Sequence, residues 1–68
     1  MNLSPVKING EDVAAAGMTV AGYLTSAQYD TRRIAVERNG EIVTKAKYDE
    51  HVLEAGDVVE IVNFVGGG

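Results

Sequence analysis

Two Asn-Gly dipeptides, Asn9-Gly10 and Asn39-Gly40, each stand between short runs in which apolar and polar residues alternate. Asn-Gly best suits a two-residue hairpin loop, because both central positions of the favoured turn need positive φ. In a chain of 68 residues, two such hairpins commit much of the sequence to antiparallel strands. Ahead of the first turn Val6-Lys7-Ile8 alternates, and Pro5, with no amide hydrogen to donate, suits the residue before a strand. The return strand is predicted over Glu11 to Ala15. Ahead of the second turn, Arg33 to Arg38 sets Ile34 and Val36 on one face and Ala35 and Glu37 on the other; Glu41-Ile42-Val43 returns. The last and longest predicted strand is Val58 to Val65, entered through a tight turn at Glu54-Ala55-Gly56-Asp57. With Val59 and Ile61 toward the core, Glu60, Val62 and Phe64 face the opposite way.

One helix is predicted between the hairpins. Thr19 suits its N-cap, and Val20, Tyr23, Leu24 and Ala27 recur at helical spacing to form one buried face. Gly22 falls at the third helical position, where it costs about 1 kcal/mol relative to alanine and offers no side chain for a capping box. The helix is therefore expected to be short, with Tyr23 partly buried and its hydroxyl at the rim. Gln28 to Arg32 and Thr44 to Glu50 read as loops, the second with one helical turn and a course over the surface. Valine and isoleucine number 14 against 3 leucines, a bias toward strands and away from a helix bundle. One helix is then left to cover one face of one sheet. The expected fold class is α+β: a β-grasp with a mixed four- or five-stranded sheet on one short helix, residues 1–65 as the domain and 66–68 as a flexible glycine tail.

Several functions are disfavoured. A chain this short buries only about 60% of the surface it exposes when unfolded, which leaves room for one domain. Its 6 basic against 10 acidic residues give a net charge of −4, the wrong sign for neutralising phosphates, so no nucleic-acid partner is expected. It has no cysteine for a disulfide or a thiolate metal site. No apolar run is long enough for a membrane span, and Met1-Asn2-Leu3-Ser4-Pro5 lacks the blocks of a signal peptide, so the cytoplasm is the expected location. His51 stands alone in a polar loop and is read as a solvated side chain, as are the carboxylates of Asp49-Glu50 and Glu54-Asp57. Ser4 and Ser26 have no histidine nearby to activate them. No catalytic residue, bound cofactor or metal is expected, and the chain is not read as an enzyme.

What asks for an explanation is Phe64-Val65-Gly66-Gly67-Gly68. At average usage three successive glycines at a given place arise about once in 3,000 sequences, so chance is a poor account of them. A flexible end without chemistry is one reading. The other uses the carboxylate: three extended residues reach about 10 Å, and their bare backbone can enter a narrow channel. An α-carboxyl, with a pKa of about 3.3 to 3.7, is ionised at neutral pH and inert toward nucleophiles until activated. Joining it to the α-phosphate of ATP gives an acyl adenylate, from which a sulfur nucleophile can displace AMP. The other handles, Lys7, Lys45, Lys47 and the hydroxyls, are of ordinary reactivity. The folded domain would position the carboxylate for a partner, and Val62 and Phe64, turned outward beside the tail, are the predicted docking residues.

These residues resemble the small sulfur carrier proteins of thiamine biosynthesis, ubiquitin-like β-grasp domains ending in Gly-Gly. The resemblance is carried by Lys7-Ile8-Asn9-Gly10-Glu11, Gly17-Met18-Thr19-Val20, Arg33 to Val43 and Gly56 to Gly68, nearly the whole chain. It implies that an E1-like adenylating enzyme activates Gly68 with ATP, that sulfur derived from cysteine, through a donor such as a cysteine desulfurase, makes the thiocarboxylate, and that thiazole synthase receives the sulfur. Gly68 is then the covalent attachment point, and Gly66 and Gly67 thread the partner's channel. The chain departs from the family pattern at Gly22, where a helix-favouring acidic residue is common, and over Lys45 to Glu50, which lacks a tryptophan often found there. Three alternatives stay open: the small subunit of molybdopterin synthase, with the same thiocarboxylate chemistry; a modifier joined to protein lysines; and a noncovalent β-grasp interaction module.

Overall fold

Both Asn-Gly pairs form the turns their composition demands. In the computed structural model, which describes residues 5–64, Asn9 and Gly10 have φ of 51° and 84°, and Asn39 and Gly40 have φ of 53° and 86°. Positive φ at both central residues gives the twist that antiparallel strands require. The first turn joins β1 (Val6–Ile8) to β2 (Glu11–Val13), and the second joins β3 (Ile34–Arg38) to β4 (Glu41–Val43). The final strand, β5 (Val58–Asn63), inserts between the hairpins in the order β2-β1-β5-β3-β4. It lies parallel to β1 and antiparallel to β3, so the sheet is mixed and five-stranded.

Helix α1 (Val20–Ser26) covers one face of this sheet. Its first amides are all accounted for: Thr19 Oγ1 accepts from Gly22 N–H at 2.9 Å, His51 C=O from Val20 N–H at 2.8 Å, and Tyr48 C=O from Ala21 N–H at 2.9 Å. The two latter acceptors come from the segment after β4, which makes a 3₁₀ turn over Lys45–Lys47. Another 3₁₀ turn, Thr31–Arg33, is capped by Asp30 and leads into β3. Val6, Ile8, Val36, Val59 and Ile61 from the sheet meet Val20 and Leu24 from α1 in the core, and Leu53 and Tyr48 close its end.

The structure corrects six expectations. β2 stops at Val13 rather than Ala15, and β5 at Asn63, with Val65 outside the described residues. Ala27 is the helix C-cap and exposed, so the buried stripe is Val20 and Leu24 with Tyr23 half-buried. The segment 44–50 does not merely cross the surface: Tyr48 is buried in the core, and its carbonyl accepts from the Ala21 amide of α1. Asp57 and His51, read as solvated, are buried and half-buried respectively. The expected boundary between domain and tail at 65/66 lies outside the described residues.

Candidate functional site

Strand alternation decides which side chains β5 offers to a partner. Val59 and Ile61 point into the core, while Val58, Glu60 and Val62 point to the uncovered face. Val62 and Phe64 are 53% and 57% exposed, as strand alternation predicts. Phe64 N–H still donates to Arg33 C=O at 2.7 Å, so the chain holds its strand course one residue past β5. Gly66, Gly67 and Gly68 follow this strand in the sequence and lie outside the described residues.

Two asparagines hold β5 from its two sides. β1 ends at Ile8, and where its backbone turns away the Asn9 side chain takes over the ladder: Oδ1 accepts from Ile61 N–H at 2.8 Å, and Nδ2 donates to Ile61 C=O at 3.3 Å. On the β3 side Asn39 Oδ1 accepts from Val58 N–H at 2.9 Å, while its Nδ2 donates to Asp57 Oδ1 at 3.0 Å. The turn residues thus serve twice, supplying positive φ and fastening the central strand.

Asp57 anchors the start of that strand. It accepts from Arg38 Nε at 2.8 Å, from Asn39 Nδ2 and from Glu54 N–H at 2.9 Å, and is only 8% exposed. Burial pushes its carboxyl up, but the Glu54 amide, Asn39 and Arg38 together outweigh burial and hold it below the ordinary carboxylate value. Arg38 also brings Nη1 to 3.5 Å from His51 Nδ1, beside a shallow cleft lined by Asn39, Glu41, Ile42 and Val43. Neither Asp57 nor this cluster carries a local sequence signal, because the Arg38–Asp57 contact spans 19 positions.

The uncovered face also holds residues that sequence reasoning did not single out. Register places Glu37 opposite Glu60, Ala35 opposite Val62, and Ile42 opposite Glu37. Among the described residues no three His, Cys, Asp or Glu side chains gather as a metal site would need, and no helix is long and apolar enough to cross a membrane. The described residues thus present an exposed face of valines and carboxylates beside the strand that leads in sequence to the glycines.

A mixed sheet closed over one helix, with its last described strand at the centre and its other face uncovered, defines a small ubiquitin-like β-grasp domain. The crystal structure of a thiamine biosynthesis protein, ThiS, from Geobacter metallireducens shares this fold with a TM-score of 0.77 and 28% identity, over 93% of this chain and 97% of that one. The chain belongs to the ThiS family, which it matches over residues 3–68. It is 43% identical over 65 residues to the sulfur carrier protein ThiS of Bacillus subtilis, covering 93% of this chain and 98% of the relative. It is also 48% identical over 62 residues, 90% of its own length, to a thiazole synthase of Paramagnetospirillum magneticum, and 39% identical over 64 residues, 93% of its length, to one of Magnetococcus marinus. The chain spans only 19% and 20% of those two proteins.

Proposed function

We propose that this chain is a sulfur carrier of thiamine biosynthesis, with the carboxylate of Gly68 as its attachment point. The observation that carries the proposal is the match to a sulfur carrier protein along 93% of this chain and 98% of the relative. An E1-like enzyme joins the carboxylate to the α-phosphate of ATP with release of pyrophosphate. A persulfide, delivered by a donor such as a cysteine desulfurase, displaces AMP to form an acyl disulfide, and a thiol of the partner then cleaves that bond, releasing the thiocarboxylate and becoming part of a disulfide. The chain performs none of this chemistry; it binds, and presents its end through Gly66 and Gly67, whose missing side chains suit a narrow channel. ATP belongs to the partner, and the cytoplasm is the proposed location. Similarity to segments of two proteins named thiazole synthase supports thiazole synthase as the acceptor. Kinship with the thiamine carriers favours this route over that of the molybdopterin synthase small subunit.

The test is the intact mass of the protein after coexpression with a thiamine-type adenylating enzyme and its sulfur source, beside a version lacking Gly68. A gain equal to one oxygen replaced by sulfur, confined to the C-terminal peptide and absent without Gly68, is expected. An unmodified mass with an enzyme active on another carrier would point instead to a noncovalent β-grasp module.

A further inference from the structure

Asn-Gly is also a dipeptide open to attack by its own backbone, because glycine has no side chain to keep its nitrogen from the preceding amide carbon. Both pairs stand on exposed turns, with open space where a Cβ would lie on Gly10 and Gly40, so water reaches them. Neither glycine N–H donates to a described backbone carbonyl outside the strand ladders. What restrains the reaction is the asparagine side chain. Asn39 Oδ1 accepts from Val58 N–H at 2.9 Å and its Nδ2 donates to Asp57 Oδ1 at 3.0 Å. Its Cγ is free to swing toward Gly40 N only after both bonds to the start of β5 break.

The same contact sets the consequence. Gly40 N bonds to Asn39 Cγ as the Cγ–Nδ2 bond breaks; the amide proton leaves with that nitrogen as ammonia, and a five-membered succinimide remains. Water then opens the ring. Addition at Cγ gives aspartate on an unchanged backbone, and addition at the main-chain carbonyl gives isoaspartate, which lengthens the two-residue turn by a methylene. Aspartate puts an oxygen where Nδ2 had donated, against a carboxylate only 8% exposed. The ion pair of Asp57 among the described residues is with Arg38 at 2.8 Å. Beyond Arg38 lie His51, with Nδ1 3.5 Å from Nη1, and Glu41 on the same cleft, so one guanidinium would face two carboxylates. At the other turn Asn9 Nδ2 faces the neutral Ile61 carbonyl. We propose that Asn39 is a spontaneous deamidation site, shielded while β5 is seated, whose aspartate product faces Asp57 and opposes the reseating of β5. A chain that has opened is thereby marked irreversibly, whether or not it carries sulfur.

The test follows the conversion by peptide mass mapping of the full chain at mildly alkaline pH, in buffer and in urea. Asn39 is expected to convert at least about a hundred-fold faster in urea; similar rates in the two would remove the shield. Asp57→Ala, or Asp57→Asn where the alanine variant does not fold, loosens Nδ2 and should speed conversion in buffer more at Asn39 than at Asn9, whose clasp on Ile61 is untouched. Equal acceleration at both would assign control to general loosening and overturn the proposal. Asn39→Asp carries the product directly. It should melt about 10 °C below wild type at neutral pH, with the gap closing as pH falls and the two carboxylates come to share a proton. Asn39→Gly accepts the φ of 53° and brings no charge, so its gap should stay level over the same range. An Asn39→Asp chain that melts with wild type, or whose gap does not narrow, would overturn the proposal. If that variant is unfolded at neutral pH, folding on acidification is the expected result, and its failure to fold there overturns the proposal equally.

Discussion

At Asp57 a single carboxylate ties together the last turn, the second hairpin and the partly buried Arg38. Removing it leaves the arginine without its counter-charge and the Glu54 amide without an acceptor, so Asp57→Ala should lower stability by about 2–4 kcal/mol in urea unfolding. Because the folded carboxyl titrates below its unfolded value, its stabilisation is present above the unfolded value and lost as pH falls through the folded one. The stability gap between wild type and Asp57→Asn should therefore hold steady near neutrality and shrink below about pH 4. Asn9 separates its two tasks in another way. Glycine accepts the φ of 51° but makes neither bond to Ile61, so Asn9→Gly should lose about 1–2 kcal/mol at unchanged turn geometry, read from the urea midpoint.

Among the elements, α1 depends most on its surroundings: it has 7 residues, no acidic residue in its first turn and a glycine at its third position. Thr19→Ala removes the Oγ1 acceptor from the Gly22 amide and should cost about 1 kcal/mol, a fall of roughly 4–8 °C in a thermal melt of a domain this size. Local signals locate β1 and β4 to the residue and the N-cap of α1, because alternation, Asn-Gly and a capping threonine act within a few positions. The same local reading misses what the segment 44–51 does, since the carbonyls of Tyr48 and His51 meet helix amides far back in the chain. It assigns Val62 and Phe64 correctly to an exposed face, because a period of two suffices for that. The facing of Glu37 and Glu60 depends on register between strands distant in sequence, and no window along the chain contains it.

At the scale of the whole molecule, the carrier proposal assigns recognition and loading to different residues. Phe64 is 57% exposed and supports no core contact, so Phe64→Ala should leave the melting temperature within error while weakening partner binding measured by titration calorimetry. Gly67→Val should bind normally yet fail to form the adenylate, because the added side chain is excluded from a channel that admits bare backbone; undiminished ATP-to-AMP turnover would count against threading. The centre of the sheet is filled by the strand that comes last in chain order, and Asn9 meets Ile61 across 52 positions. A growing chain therefore leaves the ribosome with two hairpins that have no common neighbour. They can join only when residues 58–63 are free to slide between them, so the domain closes around the very segment that leads to its glycines. Fragments released early by stalled synthesis would lack the assembled sheet, and under the carrier proposal a partner that reads that sheet would select closed domains without any separate inspection step.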